Sequence, residues 1–344
     1  MSFVDELKTA VTPRAALLVV GVLALQLLFI ASYVGALHSP KPKDVAFGVV
    51  AASPAVAEQL SEKLGALPGD PLDPRVLADE AAARRQILHR EIDGALLFDT
   101  KGTEDTLLVT SGGGAALAHA LETMTAKIDA TQQRTSKVVD VAPASSEDFN
   151  GLSAFYLVVG WCVGGYLCAS ILAISAGAQA SNPQRAIIRL GALAVSGILG
   201  GLGGAIIIGP VLGALPGSVM GLWALGALVV FSVGAATLAL QALTGIVGIG
   251  LAILLIVIAG NPSAGGAFPA PMLPDFWRVI GPALPPGAGT WAARSIAYFE
   301  SNAISGALQV LVIWGIVGSV VTLVMSSRRK RDDVDALLAE ARKS

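Results

Sequence analysis

Side chains able to do chemistry are few and scattered in this 344-residue chain. The three histidines, His38, His89 and His119, have no second ligand at HxxxH or HExxH spacing, so no metal site is expected. Cys162 and Cys168 lie about 240° apart around a helix, too far round for a disulfide. Ser111 precedes Gly112 to Gly114, but no GxSxG elbow surrounds it and it does not read as a nucleophile. Neither that run nor Gly200 to Gly204 is followed by the lysine of a phosphate loop, so any use of ATP falls to another chain. Asp73, Asp79, Glu80, Glu91 and Asp93 read as solvated carboxylates, with no pair spaced for hydrolysis. Nothing here makes a catalytic constellation or holds a cofactor, and no enzyme is expected.

The distribution of charge says more. Between Asp148 and Arg328 only Arg185, Arg189, Asp275, Arg278, Arg294 and Glu300 are charged, and from Leu190 to Pro274 nothing is. Charged residues make up 14% of the chain, against about 25% in soluble domains. A water-facing surface cannot be built from such a block. The net charge of −2 gives no basic field for nucleic acid. The expected fold is therefore an α-helical polytopic membrane protein in contact with lipid.

A span needs about 20 apolar residues. Residues 15–36 form the first, with Gln26 its one strongly polar member. A cleaved signal peptide is the competing reading, but the run exceeds the roughly 7–15 residues of a signal core. The block 151–327 divides into spans at 152–177, 187–209, 217–241, 243–260 and 305–326, about six in all. Gly209-Pro210 is expected to close the third, and Gln241 to Gly245 to turn between the fourth and fifth. Arg185, Arg189 and the tail from Arg328 to Arg331 fall on one side, which the positive-inside rule makes the cytoplasm. Both termini then lie there, in the plasma membrane, with residues 328–344 as a tail. Residues 2–13 carry Phe3, Val4, Leu7 and Val11 at helical spacing, an interfacial helix within residues 1–14. The tail repeats the pattern with Val334, Leu337, Leu338 and Ala341. No Asp, Glu, Lys or Arg lies mid-span, which argues against a coupling ion. Gln26 and Gln241 read as interhelical or interfacial polar residues.

Residues 37–150 are polar and read as a small extracytoplasmic α/β domain inserted between the first and second spans. Strands are expected at Val45–Val50, Ile92–Phe98, Thr106–Thr110 and Lys137–Val141. Helices are expected at 54–66, where Ser53 caps ahead of Pro54, and at 75–90 and 115–134. At about 110 residues the domain is large enough to fold alone.

One segment stands apart. From Asn261 to Trp277 run four prolines with glycine and aromatic residues, which forbids a regular helix. Its place after the fifth span suggests an external re-entrant turn within residues 261–304. This stretch resembles the extracytoplasmic signature of type-2 ATP-binding-cassette exporter permeases, in the phage-infection-protein (YhgE/Pip-like) branch. The matching residues are Asn261, Pro262, Gly265, Gly266, Phe268, Pro269, Leu273, Pro274, Phe276, Trp277, Pro282, Leu284, Pro285 and Arg294. Ala264 departs from the pattern, since the family's serine directly precedes its glycines. Val45 to Val50, then a helix, then Ala82 to Arg90 followed by Glu91-Ile-Asp-Gly-Ala-Leu-Leu-Phe98, are similar to the domain that the family inserts after its first helix.

The resemblance implies a permease half without cofactor. It would pair with a second half, as a homo- or heterodimer, and couple to a cytoplasmic ATPase subunit. It places ATPase coupling in residues 2–13 and 178–189, including Asn182, Pro183, Arg185 and Arg189. Ordinary positive-inside anchoring remains the other reading of those arginines. The outer gate would be the Asn261 to Trp277 turn with Arg294. The same resemblance leaves a second class open, a surface receptor or envelope-assembly protein that uses the fold without ATP.

Overall fold

A computed structural model of the protein describes residues 12–341, excluding the side chains of Arg14 and of residues 332–341. The expected interfacial helix at 2–13 lies almost wholly outside the described residues, and so does the apolar face of the tail. Helix α1 (Pro13–Leu37) starts at Thr12, whose hydroxyl accepts from the Ala15 amide, with Pro13 in the first turn where its missing N–H costs nothing.

The α/β domain follows as β1 (Val45–Ala51), α2 (Pro54–Gly65), β2 (Leu72–Val76), α3 (Glu80–Leu88), β3 (Gly94–Phe98), β4 (Glu104–Val109), α4 (Ser111–Gln132) and β5 (Thr135–Asp140). The sheet order is β2-β1-β3-β4-β5. The β3–β4 pair is antiparallel and the other pairs are parallel. Helices α2 and α4 bury Leu64, Leu117 and Leu121 with Phe47, Val49 and Leu107 on one face of the sheet. Helix α3 buries Ala83 and Ile87 against Ala95 and Leu108 on the other. Two expectations are corrected here. The helix expected over 75–90 is α3 alone, because Asp79 caps it through the Ala82 amide. Residues 72–76 ahead of it form an edge strand, where Pro74 is tolerated.

The second half begins with α5 (Ser153–Ala176), α6 (Pro183–Val211), α7 (Val219–Thr244) and α8 (Val247–Ser263). After short turns come α9 (Asp275–Ile280), α10 (Pro285–Tyr298) and α11 (Ser305–Ala341). Among the described residues five helices, α1, α5, α6, α7 and α11, are long and apolar enough to cross a membrane. The protein is therefore embedded in one. Helix α8 is apolar but shorter, and its turns widen to π geometry over Ile253–Gly260. Helix α6 does not stop at Gly209-Pro210. It carries Pro210 through a π turn at Ile207–Val211, which relieves the ring's clash with the preceding turn. Gln241 is not in a turn but within α7, which ends where Gly245 takes a φ of 66°.

Helix α7 is the centre of the bundle and packs on α5, α6 and α11. Glycines on its neighbours permit the approach. A Cβ on Gly201 of α6 would lie 2.6 Å from the Ala227 amide nitrogen, and one on Gly318 of α11 would lie 2.5 Å from the Ala235 carbonyl carbon. Such close backbone contact is how helices associate where lipid removes the hydrophobic drive.

Candidate functional site

The proline- and glycine-rich connection between α8 and α11 folds into short helices, and the whole segment packs between the α/β domain and one end of the bundle. Asn261, Pro262 and Ser263 are buried in the last turn of α8. The π geometry just before them widens the helix, and its carbonyls are met by α1: Ser32 Oγ donates to the Ile258 carbonyl and Tyr33 Oη to that of Val257. Gly265 then takes a φ of 71°, a left-handed turn that glycine makes without strain. A Cβ on Gly266 would lie 2.3 Å from the Phe155 ring, so the chain there lies flat against α5.

Arg294, on α10, ties this turn down from within. The residue is 4% exposed. It donates to the carbonyls of Gly265 (2.7 Å) and Gly266 (2.9 Å), and to that of Gly151 (3.0 Å) at the entry to α5. The fork of one arginine thus joins residues 28 to 143 positions away along the chain. Tyr298, one turn on, donates to Asp148 Oδ2 at 2.9 Å. Burial, with Asp148 adding to it, pushes the Tyr298 hydroxyl well up, so it stays a donor.

The segment and the α/β domain share a core. Met272 is buried in the same cluster as Phe47, Leu96 and Leu117, and Phe268 packs against it. Gly114 explains the triple glycine: a Cβ there would lie 2.2 Å from Pro269, and its φ of 153° kinks the start of α4 toward the segment. Lys43 pairs with Asp275 at 3.2 Å, and Arg278 bridges Asp44 and Asp275, each at 3.1 Å. Pro274 leads into α9, where Phe276 and Trp277 meet edge to face at 4.9 Å. The sequence-derived gate residues are therefore brought together, and the domain is bound up with them.

Asn182, Pro183, Arg185 and Arg189 lie at the opposite end of α6. Asn182 caps that helix through the Arg185 amide at 2.9 Å, and Pro183 occupies its first turn. Arg189 is buried and donates to the carbonyls of Ala176 (2.9 Å) and Gly177 (2.8 Å), closing the end of α5. Arg329 and Gln179 likewise reach the Ala242 carbonyl at the end of α7. Of the two arginines, Arg185 is the exposed one.

Family models, curated proteins and solved structures give no match to this chain. Function has to be argued from the residues themselves.

Two further features bear on it. A lateral groove of about 420 Å³ opens between α5 and α6, lined by Tyr156, Gly160, Trp161, Gly164, Ser196 and Gly200 among others. Its floor is apolar, since the Trp161 indole N–H is taken by the Gly200 carbonyl at 3.2 Å. The second feature is Arg90, the last residue of the stretch 82–90 that the resemblance covers without giving it a role. It reaches from the end of α3 across to α10, a partner 201 residues away. Burial lowers its pKa to about 9, with the nearby Arg294 adding to the effect and Asp93 opposing it. Asp93 is not the freely solvated carboxylate that its sequence context suggests: burial raises it to about 6, partly offset by Arg90. Among the described residues no group of His, Cys, Asp and Glu converges as metal ligands do.

Proposed function

We propose that this protein is the permease half of an ABC-type exporter, similar to the type-2 YhgE/Pip-like permeases. In this reading it pairs with a second half and is driven by a separate cytoplasmic ATPase chain. The observation that carries the reading is the closed turn at Gly265 and Gly266, held by buried Arg294. Motif residues scattered along the segment meet at one end of the bundle, where an outer gate between protomers has to be.

Topology supports the same assignment. Arg185, Arg189 and Arg329 sit at the bundle end away from the α/β domain. The positive-inside rule makes that end cytoplasmic and the domain extracytoplasmic, in the plasma membrane. Helix α8 then serves as a sixth span, shortened because its π turns feed directly into the gate. Arg185, exposed beside three residues occupied in helix ends, is the residue left to meet the ATPase. The groove between α5 and α6 is apolar and open sideways, which favours an amphipathic or lipid-linked substrate entering from the bilayer. No ionisable group lies between Leu190 and Pro274 to carry a coupling ion, so the energy must come from outside the chain.

The shared core of domain and segment favours one rival, a static surface receptor or envelope-assembly protein. Purification in mild detergent separates the two. Stoichiometric recovery of a nucleotide-binding subunit supports the exporter. Repeated recovery of the chain without one, together with no ATP-dependent substrate movement in proteoliposomes, overturns it.

A further inference from the structure

We infer that Arg90 is a latch through which the α/β domain holds α10, so that displacing the end of α3 frees the segment carrying the gate. The functional consequence rests on the exporter reading, while the latch itself is a property of the fold. The Arg90 guanidinium lies 3.3 Å from the centre of the Trp291 ring and 4.7 Å from that of Phe299. Its Nη1 donates to the Trp291 carbonyl and to Ser295 Oγ, both at 2.8 Å. From the far side, Asn302 Nδ2 donates to the Leu88 carbonyl at 3.2 Å. The last turn of α3 is thereby gripped by both ends of the stretch 291–302. That stretch includes Arg294, which holds the Gly265–Gly266 turn.

A second arginine in the same domain shows what makes Arg90 releasable. Arg134 forms a forked pair with buried Asp105, at 2.7 and 2.6 Å, and donates to the Asp99 and Gly102 carbonyls. That is a permanent fastening of β4 to the end of α4. Arg90 makes no salt bridge among the described residues. It is a partly desolvated cation held by two aromatic faces, a carbonyl and a hydroxyl. Outside this seat the guanidinium regains its hydration, so closed and open states lie near in free energy. Arg90 also sits at a φ of 59°, a left-handed turn closed by backbone bonds from its own amide to the Ile87 carbonyl and from the Glu91 amide to the Gln86 carbonyl, each at 2.9 Å. Trp291 is 39% exposed, so the seat is reachable from solvent. A ligand bound at the end of α3 can therefore act on α10 directly.

The test is hydrogen–deuterium exchange of purified protein in detergent, with no ATPase present, on Arg90→Ala, Arg90→Lys and the control Arg134→Ala. Arg90→Ala is expected to speed exchange over 285–302 roughly ten-fold, the size of a partly desolvated cation–π contact with its hydrogen bonds. Strands β1 and β3 should stay protected. Arg90→Lys, which cannot stack a planar group, should show most of the effect and serves if the alanine variant does not fold. Arg134→Ala should leave 285–302 unchanged. Unchanged exchange over 285–302 in the Arg90 variants overturns the latch, as does a rise shared equally by the whole domain. Exchange reads the latch alone, so its failure is distinct from failure of the exporter reading, which co-purification decides.

Discussion

Helices α1 and α7 are nearly equal in hydropathy, 2.5 and 2.1, yet 6% of the α1 window is buried inside the protein against 56% of the α7 window. Hydropathy records only that both prefer lipid to water. What separates them is side-chain size and polarity. Helix α7 carries Ser232, Thr237, Gly226 and Gly234 among small and β-branched residues, and its neighbours bring glycines to it. Ser232 Oγ reaches the Leu311 carbonyl of α11 at 2.7 Å. Helix α1 presents Leu17, Val19, Val20 and Val22 outward, each more than 60% exposed. It touches the rest of the protein chiefly near Ser32, Tyr33 and Ala36, beside the π turns of α8. One helix organises the bundle, and the other leaves most of its surface uncovered by this chain.

The sharpest way to break this contrast is Gly201→Leu. The new side chain would start 2.6 Å from the α7 backbone and force α6 and α7 apart. A loss of about 3 kcal/mol or more is expected, read as a collapse of the melting temperature in detergent. Arg294→Met comes next. It leaves three backbone carbonyls without their donor, for a loss of roughly 2–3 kcal/mol.

Asp93 gives a smaller, pH-dependent effect. Its folded pKa of about 6 lies above the usual carboxylate value. The folded state therefore keeps a proton that the unfolded chain gives up, and stability falls as pH rises from about 4 to about 6. Asp93→Asn should flatten that fall and be more stable than wild type above pH 6. The gain should be roughly 1–2 kcal/mol once its partial exposure is discounted, and should vanish below pH 4. Paired melts at pH 4 and pH 7.5 measure it. Leu18→Ala on α1 should change bundle stability by less than about 0.5 kcal/mol, because 52% of that side chain is exposed within the protein. A loss as large as that of Gly201→Leu would show that α1 is packed, by this chain or by another.

The limits of sequence reading follow from the same physics. The order of apolar helix, α/β domain and apolar bundle is local information, carried by hydropathy over about 20 residues, and it was legible. Strand β2 was not, because Leu72-Asp-Pro-Arg-Val76 has neither alternation nor β-branched residues inside it; its partner β1 imposes the conformation. Helix α10 begins Pro285-Pro286-Gly287, which reads as a breaker until those prolines are seen in its first turn. The proline- and glycine-rich motif drew attention to Arg294, but its contacts needed Gly151, which is 143 residues away. Arg90 closes the stretch 82–90 that the resemblance covers, but nothing in that stretch gives it a role. The one local trace is a helix ending in a left-handed residue that is not glycine.

The exporter account turns on whether the segment held by Arg294 responds to nucleotide. The direct measurement is thiol labelling of Thr290→Cys, with Cys162 and Cys168 replaced by alanine, in native membrane vesicles with ATP and with ATP plus vanadate. Position 290 is 1% exposed in the closed arrangement. The account predicts slow labelling without nucleotide and a several-fold change in rate when the ATPase is trapped. Identical labelling under every nucleotide condition, in vesicles shown to contain the ATPase, would contradict it.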